Sequence, residues 1–337
     1  MRVGVIGAGS WGTALAIMAA RKGHDVYLWS RNAAVVDSIN SDHVNSLYLT
    51  EAEIPSNVRA TKDIAKAVEE TELVILAAPS HATRGLLSAV APVFQAETVI
   101  VSATKGIEVD TGKRMSQVVA EVFPIESRPR FVCLSGPSFA KEVVEKHPTA
   151  IVAASDDREA GSIVQSGLSF DNLRIYTNDD VIGTELGGSI KNVMAIAAGM
   201  VGGLGFGSNS IAALITRGLA EMTRLALSEG AKIETLMGLA GLGDLVLTCT
   251  GNLSRNRFVG HELGKGRRLE DITSDMNEIA EGVKTTLAVK LLADRNRIEM
   301  PITNEVHAVL YDKKPVRAAA DALMARPLRV EGIGSEV

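Results

Sequence analysis

Several short runs in this chain carry residues that can cradle phosphates, move a proton or grip an anion. Gly7-Ala8-Gly9-Ser10-Trp11-Gly12 is a GxGxxG. Alone it fits any Gly-rich turn, but here it joins an apolar run at 3–6 to a helix-like stretch at 13–22. That context lets amides at a helix start meet a dinucleotide pyrophosphate. Gly7 permits the tight turn, Gly9 the approach of the pyrophosphate, and Gly12 close packing of helix on strand. Lys191 lies in Gly187-Gly188-Ser189-Ile190-Lys191-Asn192-Val193-Met194, among almost wholly apolar or small neighbours. A lysine there either snorkels to water or is held in a site. Adjacent glycines cost a helix roughly 1 kcal/mol each relative to Ala. Something must therefore approach closely, either a ligand or a neighbouring helix. Burial disfavours the ammonium, which makes Lys191 a candidate to protonate a carbonyl oxygen as hydride reaches its carbon.

The remaining candidates follow the same logic. Lys105 stands just past the apolar run 99–102 and beside Gly106. Ligands of open α/β sheets sit at such strand ends, although an ordinary surface lysine reads the same way. Asp244 and Thr248 are four residues apart and share a helix face. They can orient a lysine and a substrate hydroxyl together, or Asp244 can simply cap its helix. Ser254-Arg255-Asn256 offers a guanidinium fork and an amide suited to a phosphate. The turn Ser135-Gly136-Pro137-Ser138-Phe139-Ala140 offers backbone and hydroxyl contacts, and Pro79-Ser80-His81 closes another strand. NAD-specific sites place Asp or Glu about 20 residues past the glycines, on the ribose 2′-OH. This chain has Ser30 and Arg31 there. Arg31 can clamp a 2′-phosphate, so NADPH is the expected preference, with NADH accepted.

These residues need elements to position them. Short β-branched runs at 3–6, 26–29, 73–77, 99–102, 131–134 and 150–153 alternate with helical stretches, with a last strand at 172–176. The pattern predicts a doubly wound Rossmann-type α/β sheet. Past residue 178 long helical periodicities take over, at 181–200, 210–228, 281–294, 303–311 and 316–324. The expected division is therefore a dinucleotide-binding domain over 1–178 and an all-helical substrate-binding and catalytic domain over 179–337. The chain has 337 residues, 46% hydrophobic and 22% charged, which suits a globular protein with a sizeable core. A net charge of −5 speaks against nucleic acid as a partner, and no run reaches the ~20 apolar residues of a membrane span. Cys133 and Cys249 stand far apart, and His residues form no paired pattern, so neither a disulfide framework nor a metal is expected. The opening MRVGVIGAGS lacks the pattern of a cleavable leader, and a cytoplasmic protein is expected. An Ala/Gly-rich helical half is compatible with a homodimer.

GAGSWGTALA, SATKGIE, LSGPSFAKE, GGSIKNVMAIAAG, GLGDLVLTCTG and SRNRFVG occur in that order across nearly the whole chain. The ordered set resembles the bacterial NAD(P)-dependent glycerol-3-phosphate dehydrogenases. The resemblance implies reversible reduction of dihydroxyacetone phosphate to sn-glycerol 3-phosphate, supplying glycerophospholipid synthesis. It implies Lys191 as proton donor and acceptor, with Lys105 and Asp244 beside the reacting oxygen. It implies substrate contacts from Gly136, Ser138, Ser254, Arg255 and Asn256, with Arg255 at the phosphate. It implies cofactor contacts from Ser10, Trp11, Arg31, Lys105, Ala140, Arg255, Ile279 and Glu281. Position 138 is often Thr in that family, and Ser138 keeps the hydroxyl. A hydroxyacyl-CoA or hydroxy-acid dehydrogenase fits the Lys–Asp–Arg set less well. A non-catalytic NADPH sensor would need the glycine loop but not both lysines and Asp244.

Overall fold

The computed structural model describes residues 1–276, 280–328 and 330–331. Two compact units emerge, Met1–Lys105 with Met115–Val181, and Gly106–Arg114 with Ile182–Val337.

The first unit holds strands β1 (Arg2–Ile6), β2 (Asp25–Trp29), β3 (Val44–Asn45), β4 (Leu49–Glu53), β5 (Val58–Thr61), β6 (Leu73–Leu76), β7 (Val99–Ser102), β8 (Arg130–Ser135), β9 (Thr149–Ala154) and β10 (Leu173–Asn178). Eight form one sheet in the order β10-β9-β8-β7-β6-β1-β2-β5, while β3 and β4 pair separately as an antiparallel hairpin. Central strands β6 and β7 are buried throughout, because both faces are covered. Alternate residues of β6 feed different cores. Leu73 and Ile75 pack with the helix Ser10–Arg21, whereas Val74 and Leu76 pack with residues of the helices Ser80–Val90 and Met115–Val122. The doubly wound expectation therefore holds.

Two features depart from it. Strands β8 and β9 pair antiparallel within an otherwise parallel sheet. The link at 136–148 carries only the short helix Ala140–Val144, not the longer crossover that normally returns a chain in parallel. Strand β5 was not anticipated either, since Val58-Arg59-Ala60-Thr61 is an edge strand with only alternate positions buried.

The second unit is built round the helix Val181–Gly203, almost every residue of which is buried. A helix apolar on all sides belongs in the middle of a core. The helices Ser208–Ser228, Arg255–Gly264, Glu281–Asn296, Pro301–Tyr311 and Val316–Met324 share its core. The approach of Arg255–Gly264 is close enough for backbones to touch. A Cβ on Gly199 would lie 2.1 Å from the Arg257 carbonyl oxygen, and one on Gly260 1.9 Å from that of Ile196. The excursion Gly106–Arg114 is tied in by a buried 2.8 Å ion pair from Arg114 to Glu185 and by Arg295 donating to the Thr111 carbonyl at 2.8 Å.

One buried carboxylate closes a helix end here. Pro301 opens the helix Pro301–Tyr311, and the amides of Ile302 and Thr303 donate to Glu221 at 2.7 and 3.3 Å. Burial outweighs these donors and pushes the Glu221 carboxyl up to about 7. The folded protein thus holds a proton that the unfolded chain releases near the ordinary Glu value of about 4.3. The associated stability is intact below that value and is lost as pH rises to about 7. Glu221→Gln is expected to remove this slope from a plot of Tm against pH; an unchanged slope would show that Glu221 is not its source.

Candidate active site

The glycine loop lies between the carboxyl end of β1 and the helix Ser10–Arg21, whose N-cap position is Gly9 and which no side chain caps. Gly7 has φ +115°, and a Cβ there would lie 2.8 Å from the Ala77 carbonyl oxygen, just past β6. A Cβ on Gly12 would lie 1.9 Å from the Gly7 carbonyl oxygen. The turn, the neighbouring strand end and the helix start are thus packed too tightly for side chains at these positions. The uncapped helix start offers amides to an anion. The indole N–H of Trp11 is buried without an acceptor among the described residues. This loop fits a dinucleotide pyrophosphate.

The loop is braced by a residue that the sequence did not single out. Asn45, fully buried in β3, donates to the Ala8 carbonyl at 2.9 Å and to Thr13 Oγ1 at 2.8 Å. Its Oδ1 accepts from the amides of Leu47 and Tyr48 at 3.3 and 3.1 Å. Ser10 Oγ donates to the Tyr48 carbonyl at 2.7 Å, clamping the hairpin to the loop from the other side. Its only signal in the sequence was an Asn before a turn. At the end of β2, Ser30 is buried and its hydroxyl accepts from the Asn32 amide, while Arg31 is exposed.

Further along the sheet, Lys105 Nζ donates to the Gly136 carbonyl at 2.9 Å, and Ser138 Oγ donates to the same oxygen at 3.1 Å. Gly136 has φ +134°, and a Cβ there would lie 2.9 Å from Ile151 Cα. Lys105, Gly136 and Ser138 therefore form one cluster at the carboxyl ends of β7 and β8. Ala140 opens the next short helix, and His81 is exposed in the first turn of Ser80–Val90.

In the helical unit Lys191 does not snorkel. Its side chain is 7% exposed, and Nζ lies 2.8 Å from Asp244 Oδ1. Nζ also donates to Thr248 Oγ1 at 2.6 Å, and that hydroxyl donates to the Asp244 carbonyl at 2.6 Å. Asp244 lies in the first turn of the helix Asp244–Thr250, where the dipole favours a carboxylate, but Gly243 occupies the cap position and no side-chain cap forms. Burial alone would favour the neutral amine, and the adjacent carboxylate opposes it. The result is a buried Nζ held in a fixed direction by Asp244 and Thr248. Burial pushes the neighbouring Cys249 thiol up to about 12, which keeps it protonated and inert. Among the described residues no group of three or more His, Cys, Asp or Glu side chains could hold a metal ion.

Ser254, Arg255 and Asn256 meet at one helix start. Ser254 Oγ accepts from the Arg257 amide as N-cap, and Arg255 is exposed in the first turn. Asn256 is buried. Its Nδ2 donates to Asn192 Oδ1 at 3.0 Å, and its Oδ1 accepts from the Gly282 amide at 2.9 Å. Asn256 thereby links the residue after Lys191 to the start of the helix Glu281–Asn296, whose first residue is Glu281. Ile279 lies outside the described residues.

The brace on the glycine loop has a measurable consequence. Asn45→Ala leaves the Ala8 carbonyl and the turn amides without their partner, at roughly 1–3 kcal/mol for an unpaired buried group. The expected outcome is an NADPH Kd raised by about tenfold or more, with the folded protein's circular dichroism unchanged. An unaltered Kd would show that the loop holds its shape without Asn45.

The family models that match are the N-terminal part of NAD-dependent glycerol-3-phosphate dehydrogenase, over residues 2–161, and its C-terminal part, over residues 180–321. The chain is 51% identical to the glycerol-3-phosphate dehydrogenase [NAD(P)+] of Geobacter sulfurreducens, over 98% of each chain. It is 52% identical to that of Koribacter versatilis, again over 98% of each. The crystal structure of the Coxiella burnetii glycerol-3-phosphate dehydrogenase superposes with a TM-score of 0.93 at 41% identity, over 96% of this chain and 99% of that one. The glycine cradle, the paired lysine and these full-length matches agree, and the chain belongs to the NAD-dependent glycerol-3-phosphate dehydrogenase family, oxidoreductases that act on a CH–OH group.

Proposed function

We propose that this protein reduces dihydroxyacetone phosphate to sn-glycerol 3-phosphate, reversibly and with NADPH as the preferred reductant. The observation that carries the reading is the buried Lys191 ammonium, held by Asp244 at 2.8 Å and Thr248 at 2.6 Å. When bound, the nicotinamide supplies the hydride. As the carbonyl carbon accepts it, charge develops on oxygen, and Lys191 stabilises that charge and then delivers its proton. Asp244 and Thr248 keep Nζ aimed and favour its charged form. In the reverse direction the neutral amine takes the proton back. Lys105 adds a second positive charge for the substrate, and Gly136 and Ser138 add contacts.

Ser254, Arg255 and Asn256 are assigned to substrate binding, with Arg255 at the phosphate. A guanidinium at a helix start suits a dianion, and binding the phosphate away from the reacting carbon supplies orientation. Gly7, Gly9, Ser10, Trp11, Gly12, Ala140 and Glu281 are assigned to the cofactor together with Lys105 and Arg255. The exposed Arg31, with Ser30 and Asn32 beside it and no carboxylate, supports a 2′-phosphate. On this reading residues 1–178 bind the dinucleotide and 179–337 bind substrate and move the proton. A cytoplasmic location, a homodimer and the supply of glycerophospholipid synthesis complete the proposal; the first and last rest on family likeness and the homodimer on the Ala/Gly-rich helical half.

Lys191→Ala is expected to lower kcat by a factor on the order of 100 to 10,000, the usual contribution of a general acid, with NADPH affinity intact. Near-normal turnover would refute the assignment. Arg31→Asp is expected to move the ratio of kcat/KM for NADPH over NADH toward NADH. An unchanged ratio would remove Arg31 from 2′-phosphate recognition.

A further inference from the structure

One turn before Lys191 on its own helix lies a second close contact with the segment that leads into Asp244. Gly187 lies four residues before Lys191 on the helix Val181–Gly203, and Ala240 lies four residues before Asp244. A Cβ added to Gly187 would fall 2.7 Å from the Ala240 carbonyl oxygen and 3.4 Å from Gly241 Cα. Residues four apart on a helix face the same way. The close backbone approach of Gly187 to Ala240 thus lies about one turn before the ion pair of Lys191 with Asp244 on both segments.

The segment opposite Gly187 has no slack. Leu239–Gly243 is a single π-helical turn that runs directly into the helix Asp244–Thr250, a widened turn of the kind often found at functional sites. The Gly243 amide donates to the Gly238 carbonyl at 3.0 Å. A Cβ on Gly241 would lie 2.0 Å from the Leu236 carbonyl oxygen, so the turn is also packed tightly against its own preceding residues. Ala240 is 1% exposed and Asp244 likewise 1%. A push on Ala240 cannot be absorbed by a flexible side chain, because the atom met is backbone, and it passes along the turn to Asp244.

We propose that Gly187 is a positioning residue for the proton transfer, its missing side chain setting the separation at which Asp244 holds the Lys191 ammonium. This rests on the assignment of Lys191 as the proton donor. The close approach that Gly187 allows is made by the protein's own backbone, and its purpose is the geometry one turn further on.

In Gly187→Ala the methyl drives the π turn outward and lengthens the Lys191–Asp244 contact. A misplacement of about 1 Å costs on the order of 100-fold in rate, so kcat for ketone reduction is expected to fall by about 10- to 100-fold. NADPH Kd stays unchanged, because the glycine loop is untouched. With the carboxylate further off, the ammonium is less favoured, and the alkaline limb of the kcat–pH profile moves to lower pH by about one unit. Gly207→Ala is the control, since no atom of the described residues outside its own chain neighbours lies within 4 Å of a Cβ there; its kcat and profile should match the parent. Asp244→Asn then closes a double-mutant cycle. If Gly187 acts through Asp244 the two losses are strongly non-additive, whereas an unrelated structural defect adds. If Gly187→Ala does not fold, Ala240→Val overpacks the same buried turn from within and carries the test with the same expected outcome. Full kcat with an unmoved profile, or additive losses, would overturn the proposal. A normal Lys191→Ala enzyme would instead overturn the assignment on which it rests.

Discussion

A charged lysine buried in the middle of an apolar helix is the constraint on which the helical unit depends. An ammonium at the position of Lys191 is tolerable only if a carboxylate meets it with good geometry, and removing one partner of such a pair costs about 3–5 kcal/mol. The requirement propagates outward. Asp244 must start its helix beside Lys191, so the turn before it must pack on backbone, and Gly187 leaves room. The helix bearing Ser254, Arg255 and Asn256 must lie against the other end of the same central helix, and Gly199, Gly203, Gly260 and Gly264 allow the two backbones to meet. Asn256 then joins Asn192 to the Gly282 amide. Lys191, its carboxylate partner and the helix start that carries Arg255 are all placed by one helix, Val181–Gly203.

The sheet unit, on the proposed reading, solves a different problem, that of bringing a dinucleotide pyrophosphate up to backbone. Its strand ends are crowded with glycine where chains cross, at Gly7, Gly12 and Gly136, and those crossings present amides and carbonyls without intervening side chains. The loop is not left to hold itself. Asn45 and Ser10 fasten the small hairpin β3–β4 to it by hydrogen bonds on both sides. Preorganisation of this kind lowers the ordering cost of binding.

Much of this was legible in the residues. The glycine loop, the alternation of short apolar runs with helices, and the helical second half follow from periodicity and turn chemistry. Asp244 and Thr248 were legible as an i, i+4 pair able to orient a lysine, and it was the family resemblance, not the spacing, that placed Asp244 with Lys191. Other features were not legible for physical reasons. Val58–Thr61 has only alternate positions buried and carries too few apolar residues to announce a strand. The antiparallel turn of β9 depends on the length and course of a connection, not on the composition of either strand. Gly106–Arg114 reads as a loop in the sequence, and its membership of the helical unit shows through distant contacts, Arg114 meeting Glu185, 71 residues away, and Arg295 meeting the Thr111 carbonyl. Asn45 gains its importance from Ala8 and Thr13, partners 37 and 32 residues distant. Contacts across such separations leave no local pattern.

The central claim is that a buried ammonium protonates the ketone of a small phosphorylated substrate as hydride reaches its carbon. The most direct measurement follows the loss of NADPH absorbance with purified protein and dihydroxyacetone phosphate, beside unphosphorylated dihydroxyacetone and acetoacetyl-CoA. The account predicts rapid oxidation with dihydroxyacetone phosphate and little with either control. No oxidation despite tight NADPH binding, or equal rates with and without the phosphate, would contradict it.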